Sequence, residues 1–350
     1  MQALMRKTSN AFDAALIEAP LPELRDDDWV LVKVAYAGVC GSDIKMLESD
    51  AVGQYAKLRP PVITGHEASG TIVAVGPAVT GWAAGDRVVY ETTVDNCGVC
   101  RFCLSGDWNM CPSRKGLGSS MNGSFAEFVA MPVRNLHKVP DHVDLKTAAL
   151  AEPLACGVHI VEEAGRVKRG ENVLIIGPGP IGMCCGITAK ANGARVIMLG
   201  TAHSRPRLKV AEEIGLTVLT NDAPDLEKAV MDLCGGELAD ISIDAAGSQS
   251  SFDQALHLVR KMGRIVIGAA PTHKPDPIVL DMTRFYRYQL QMFTAASTRP
   301  SGWKAAMQIM AASAGDLARL VGRCFPLSQW EEAFDVTRRK EGFKAMIAFV

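Results

Sequence analysis

Up to about residue 150, apolar positions alternate with polar or small ones in short runs cut by Gly and Pro: WVLVKVAYAG (29–38), EASGTIVAVG (67–76), GDRVVYE (85–91) and FAEFVAMP (125–132). A period of two puts one face of each run inside and the other outside, so these runs predict strands, and their brevity predicts a small irregular barrel. From about Leu154 to Ile267 the register changes to alternating strand and helix patterns: NVLIIG, IGMCCGITAKANG, RVIMLG, RPRLKVAEEIG, ADISIDAAG, SSFDQALHLVRKMG and RIVIGA. A β-α-β-α run of that length predicts a parallel sheet covered on both faces. Two further helical patterns follow, near 301–313 and 328–338, and then a strand-like FKAMIAFV. The fold class expected is α/β, with the tail placed to pack back onto the all-β segment.

At 350 residues the chain exceeds one ordinary core, so two domains are expected, residues 1–153 with 290–350 and residues 154–289. Lys plus Arg number 37 against 38 Asp plus Glu, which leaves no general electrostatic footprint for nucleic acid or an anionic membrane. The amino terminus lacks the apolar stretch of a signal peptide, and no run of about 18 apolar residues predicts a membrane span. A cytoplasmic, reducing setting is therefore expected. There, ten cysteines argue for metal ligation over disulfides.

VLIIGPGPIGMCCGITAK carries Gly177, Gly179 and Gly182 in G-x-G-x-x-G spacing, with Pro180 and Ile181 opening the helical pattern. The motif alone is weak; after a β-branched strand and before a helix it predicts a dinucleotide site. Gly177 would permit the turn, Gly179 the approach of a pyrophosphate, and Gly182 close packing of helix on strand. About twenty residues on, where an acid would bind the ribose 2′-hydroxyl of NAD, stand Gly200, Thr201 and Ala202, followed by Ser204, Arg205 and Arg207. A missing carboxylate and nearby guanidinium groups favour NADP over NAD.

CGVCRFCLSGDWNMC sets Cys97, Cys100, Cys103 and Cys111 at C-x2-C-x2-C-x7-C. A ferredoxin-type cluster would want x3 before its fourth cysteine, although Pro112 gives that alternative some colour. Four thiolates with no open position suit a closed structural zinc. Cys40 in AGVCGSD and His66-Glu67 in TGHEASG lie in Gly-rich turns of the all-β segment. The zinc-protease pattern H-E-x-x-H fails, because position 70 is Gly. Cys, His and Glu together make a plausible donor set for a catalytic zinc, with Glu152 in LAEPLACG a second candidate oxygen.

With these motifs in order, the chain resembles the zinc-dependent medium-chain dehydrogenase/reductase family, most closely its sorbitol and threonine dehydrogenase branch. The resemblance rests on GVCGSD, GHEASGTIVAVG, the four-cysteine lobe, NGSFAEFVAMP, AEPLACG and GPGPIG. It implies a GroES-like β-barrel catalytic domain, a Rossmann doubly wound parallel sheet domain, and a homodimer or homotetramer. It also implies an NAD(P)-dependent oxidoreductase that takes hydride from the secondary alcohol of a polyol, sugar or related small molecule and leaves a ketone. Cys40, His66 and Glu67 match the catalytic zinc ligands of the polyol branch, and Glu152 stands where classical alcohol dehydrogenases place a third cysteine. Either Glu67 or Glu152 is left to complete the set. Lys45 occupies the place where many members carry a proton-relaying His, so Ser42, Lys45 and Glu152 are the candidates for proton transfer. Three alternatives remain: an L-threonine-type 3-dehydrogenase, a zinc-free reductase or cofactor-binding sensor of the same superfamily, and an interaction module built on the cysteine lobe. The near-neutral charge and 6% aromatic content disfavour the last.

Overall fold

The computed structural model of the chain describes residues 1–48, 58–269 and 277–350. The chain divides into two compact units, Met1–Glu152 with Thr298–Val350, and Pro153–Ser297. In chain order the first contributes β1 (Gln2–Arg6), β2 (Ala14–Glu18), β3 (Trp29–Gly38), β4 (Val62–Ile63), β5 (Glu67–Val75), β6 (Arg87–Tyr90), β7 (Thr93–Asp95), β8 (Lys115–Gly116), β9 (Phe128–Pro132) and β10 (Leu136–Lys138). The second holds β11 (Asn172–Ile176), β12 (Arg195–Gly200), β13 (Thr217–Thr220), β14 (Ala239–Asp244), β15 (Val259–Ile267) and β16 (Gln291–Thr294). The first unit then resumes with β17 (Val321–Pro326) and β18 (Lys344–Ala348).

The main sheet of the first unit runs β10-β6-β5-β3-β18-β17, with β9 also paired to β3. β3 is its organising strand. Val30, Val32 and Val34 are fully buried while Lys33 between them is exposed, which is the period-two pattern read in the sequence. β5 and β18 flank it, both antiparallel, with Gly38 opposite Glu67 on one side and Met346 on the other. The tail therefore completes the first unit by supplying β17, β18 and the helices Pro300–Ala312 and Trp330–Arg338.

The second unit is a six-stranded parallel sheet in the order β13-β12-β11-β14-β15-β16. Every residue of β11 is buried, as expected of a central strand covered on both faces. The chain winds outward from β11 to β13, then returns to add β14 on the other side. That reversal creates the crevice at the carboxyl ends of β11 and β14 where such sheets take nucleotides.

Two details differ from the sequence reading. The helical pattern of SSFDQALHLVRKMG stops early: the helix is Gln249–His257, and Val259 already starts β15. Val259 pairs with Ala239 across the sheet, and the backbone N–H of Met262 bonds Tyr288 O at 2.7 Å, so tertiary pairing overrides the helical spacing of Leu256, Val259 and Met262. The parallel sheet also extends past position 289, because β16 pairs with β15.

Candidate metal and cofactor sites

The four cysteines fold as a compact lobe. Cys97 Sγ lies 3.8 Å from Cys103 Sγ and 3.7 Å from Cys111 Sγ, and Cys100 Sγ lies 3.5 Å from Cys103 Sγ. A disulfide would hold two sulfurs about 2.05 Å apart, whereas zinc–sulfur bonds of about 2.3 Å in a tetrahedron space them about 3.8 Å. The observed spacings are those of the tetrahedron. Backbone N–H groups already point at sulfur, Cys100 N to Cys97 Sγ at 3.3 Å and Cys97 N to Cys111 Sγ at 3.5 Å. Hydrogen bonds from the Val99 and Cys100 backbone pull the Cys97 thiol down, while burial pushes the Cys103 thiol up.

A second group forms from residues far apart in sequence. Ligand atoms of Cys40, His66 and Glu67 all lie within 4.8 Å of one another. Cys40 ends the turn after β3, and the helix Gly41–Glu48 starts immediately behind it; Glu67 is the first residue of β5. Among the described residues, neither Glu152 nor any other His, Cys, Asp or Glu joins the three within that distance. Glu152 is buried in the helix Ala151–Val158, and its charge acts on Lys344.

Two residues the sequence reading passed over support this group. Asp43 is buried and accepts from the Cys40 backbone N–H through Oδ2 at 2.9 Å. Its Oδ1 faces His66 Nδ1 at 3.5 Å, too far for a full hydrogen bond and otherwise unpartnered. Burial alone would lower the His66 pKa, but Asp43 and the Cys40 sulfur outweigh it and hold it well above its ordinary value. A carboxylate behind one imidazole nitrogen is the usual means of aiming the other at a metal. The signal was the Asp three residues after Cys40, in the first turn of the helix.

The second is Lys344, on β18. Its Nζ lies 2.7 Å from both carboxylate oxygens of Glu67, and it donates a well-directed hydrogen bond only to Oε1. Glu67 Oε2 is buried and accepts none. Burial would depress the lysine, yet Glu67, Cys40 and Glu152 hold its pKa above the usual range. Lys344 stands just before the apolar run AMIAFV, and nothing in that stretch of sequence marks its role. Ser42 and Lys45, on the helix behind Cys40, are both half-buried, and burial lowers the Lys45 pKa against an opposing pull from Cys40.

In the second unit, Gly177 adopts φ +104°, which a side chain rarely tolerates, and a Cβ at Gly182 would stand 1.9 Å from Gly177 O. Gly179 is different: a Cβ there would meet nothing within 4 Å, so the backbone opens onto free space at the start of the helix Pro180–Ala191. Those three environments are what a turn, a close packing contact and a phosphate approach require. Pro180 occupies the first turn, and Ile181 beside it is half-buried. Past β12, Thr201 Oγ1 and Ser204 Oγ lie 3.1 Å apart, and Arg205 Nη2 lies 3.8 Å from Asp222 Oδ2. Thr201 and Arg205 are exposed, and burial lowers the Arg207 pKa.

Comparison with known proteins finds two family models along the chain. The family model described as alcohol dehydrogenase GroES-like domain matches residues 26–141, and that described as zinc-binding dehydrogenase matches 180–312. The chain is 35% identical to D-arabitol-phosphate dehydrogenase of Enterococcus avium, over 99% of this chain and 97% of that one. It is 34% identical to sorbitol dehydrogenase of Halalkalibacterium halodurans, over 99% of each. A zinc-binding dehydrogenase of Sinorhizobium meliloti 1021, solved with NADP bound, superimposes with TM-score 0.87 at 26% identity, covering 99% of this chain and 98% of that one. Among the described residues, no helix is long and apolar enough to cross a membrane.

Proposed function

The chain belongs to the zinc-dependent medium-chain family of NAD(P)-dependent alcohol dehydrogenases, and we propose that it oxidises a secondary alcohol of a polyol, a sugar or a related small molecule, free or phosphorylated, to the ketone. The observation that carries this reading is the Cys40, His66 and Glu67 group with one carboxylate oxygen left without a hydrogen bond. Sulfur, imidazole and carboxylate are the donor types of a catalytic zinc, and three protein ligands leave a position open. When bound, zinc would act as a Lewis acid on the substrate hydroxyl, as it lowers the pKa of water from about 15.7 to about 7. The nicotinamide would accept the hydride.

This chain's own residues do the rest. Asp43 orients the His66 imidazole. Ser42 takes the hydroxyl proton first, with Lys45 and Glu152 as the other carriers. Cys97, Cys100, Cys103 and Cys111 hold a second, structural zinc. Gly177, Gly179, Pro180, Ile181 and Gly182 seat the pyrophosphate at a helix N-terminus. Thr201, Ser204 and Arg205 receive a 2′-phosphate, so NADP is favoured over NAD. The reading extends to a homo-oligomer in the cytoplasm.

Metal analysis and an assay of polyols, polyol phosphates, aldoses and threonine with each nicotinamide, followed near ~340 nm, test this reading. Two zincs per chain, one lost with Cys40→Ser and the other with Cys103→Ser, support it. A Cys40→Ser protein that keeps both ions, or turns over normally, sinks it.

A further inference from the structure

The turn after β12 runs Gly200, Thr201, Ala202 and so carries no acid, but the neighbouring strand brings one alongside. β13 lies parallel to β12 with Thr220 directly opposite Gly200, and paired strands stand about 4.8 Å apart. Past that pair the two chain segments stay joined, because the Asn221 backbone N–H bonds Gly200 O at 2.9 Å. Asp222 is the next residue. It follows Thr220 by two positions, as Ala202 follows Gly200, and its Oδ2 lies 3.8 Å from Arg205 Nη2.

Stability is a poor account of this pair. The Arg205 side chain is 69% exposed and that of Asp222 52%, and exposed pairs at such a separation add little to a fold. A hydrogen bond from Thr220, with the Arg205 charge behind it, holds the Asp222 carboxyl below its ordinary value, so it is ionised at neutral pH. What matters is where that charge stands. A carboxylate beyond the second strand of such a sheet is the usual acceptor for the ribose 2′-hydroxyl of NAD, and it repels a 2′-phosphate. A guanidinium attracts the phosphate. The two strands thus present both determinants side by side, where a site built for one cofactor needs only one of them.

We propose that Asp222 is a specificity-determining residue that opens the cofactor site to NAD as well as NADP, by sharing Arg205 with the 2′-phosphate. This rests on the reading of Thr201, Ser204 and Arg205 as the 2′-phosphate subsite. With NAD, Asp222 accepts the ribose hydroxyl and keeps the guanidinium paired. With NADP, Arg205 turns to the phosphate while the Asp222 charge holds the affinity down. The preference for NADP is therefore narrow, and the strand next door sets it rather than the glycine motif.

Calorimetric titration of the full-length, zinc-loaded protein with NAD and with NADP, in the absence of substrate, tests this independently of turnover. Asp222→Asn keeps the shape of the side chain and removes its charge. It should bind NADP about tenfold more tightly and NAD about threefold more weakly, the scale expected of one unit charge beside a phosphate at an exposed site. Added salt should shrink the NADP gain, because it screens exposed charges. Arg205→Ala, run in parallel, should weaken NADP binding. Suppose Asp222→Asn leaves both dissociation constants unchanged, or moves both in the same direction, while Arg205→Ala still weakens NADP. The inference is then wrong and the 2′-phosphate subsite stands. An Arg205→Ala protein that binds NADP as the unaltered one does removes the subsite reading, and this inference with it.

Discussion

The two candidate metal groups of the first unit are opposites in construction. Cys97, Cys100, Cys103 and Cys111 lie within fifteen residues, carry four identical donors and space their sulfurs 3.5–3.8 Å apart. Cys40, His66 and Glu67 carry three different donors, and the cation against Glu67 is supplied from position 344. Four donors would leave an ion no free position, whereas three would leave one for another ligand. The first arrangement suits holding a loop, the second suits chemistry.

The largest effect should come from removing a donor of the incomplete group. Cys40→Ser or His66→Ala should lower kcat/KM by about a thousandfold or more, the loss of several kcal/mol of Lewis-acid stabilisation, while cofactor binding measured by fluorescence titration is retained. Cys103→Ser should do the reverse. We expect its Tm to fall by more than about 5 °C, with residual turnover in the protein that stays folded, and a chelator should narrow the gap between variant and parent. If both variants lost activity and stability alike, the contrast between the groups would dissolve.

Asp43→Asn sharpens the same contrast at one remove. It keeps the shape but loses the charge facing His66, so metal affinity at that group should drop about 10–100-fold by competition titration, with the cysteine lobe untouched. Smallest is a control outside both groups. Asp144 caps the helix Leu145–Ala148, accepting from the Thr147 N–H and hydroxyl, each at 2.9 Å. Burial pushes its carboxyl up, but these bonds outweigh it and hold the pKa below the ordinary value. A depressed carboxyl stabilises the fold above its unfolded pKa of about 3.9, and that contribution fades as pH falls through the folded value. Asp144→Ala should therefore cost at most about 1 kcal/mol at neutral pH by denaturant melts, shrinking towards nothing in acid, with both metals retained.

Legibility followed sequence distance. The cysteine lobe and the Gly177–Gly182 turn were readable because their geometry is set within a few residues. The Cys40, His66 and Glu67 set was readable as residue types, but its grouping depends on β3 and β5 lying side by side. Lys344 was invisible, since nothing local tells a strand lysine that faces solvent from one that meets Glu67 277 positions away. The helix expected through Gly263 failed for a related reason: Leu256 and Val259 fit helical spacing, and only the partner strand at Ala239 decides that Val259 is extended. Asp43 could have been found, because it stands in the first turn of a helix that starts at Gly41.

The insertion of β18 between β3 and β17 has a consequence for synthesis. Pro153–Ser297 is a continuous stretch and can fold as soon as it leaves the ribosome, whereas the sheet around β3 must wait until residues up to Ala348 have been made. Until then β3 is paired by β9 over Trp29–Lys33 but unpaired on that edge over Tyr36–Gly38, and Glu67 stands opposite Gly38 without its lysine. The Pro153–Ser297 unit should mature first, and the unit around β3 only after the residues through Ala348 have been translated.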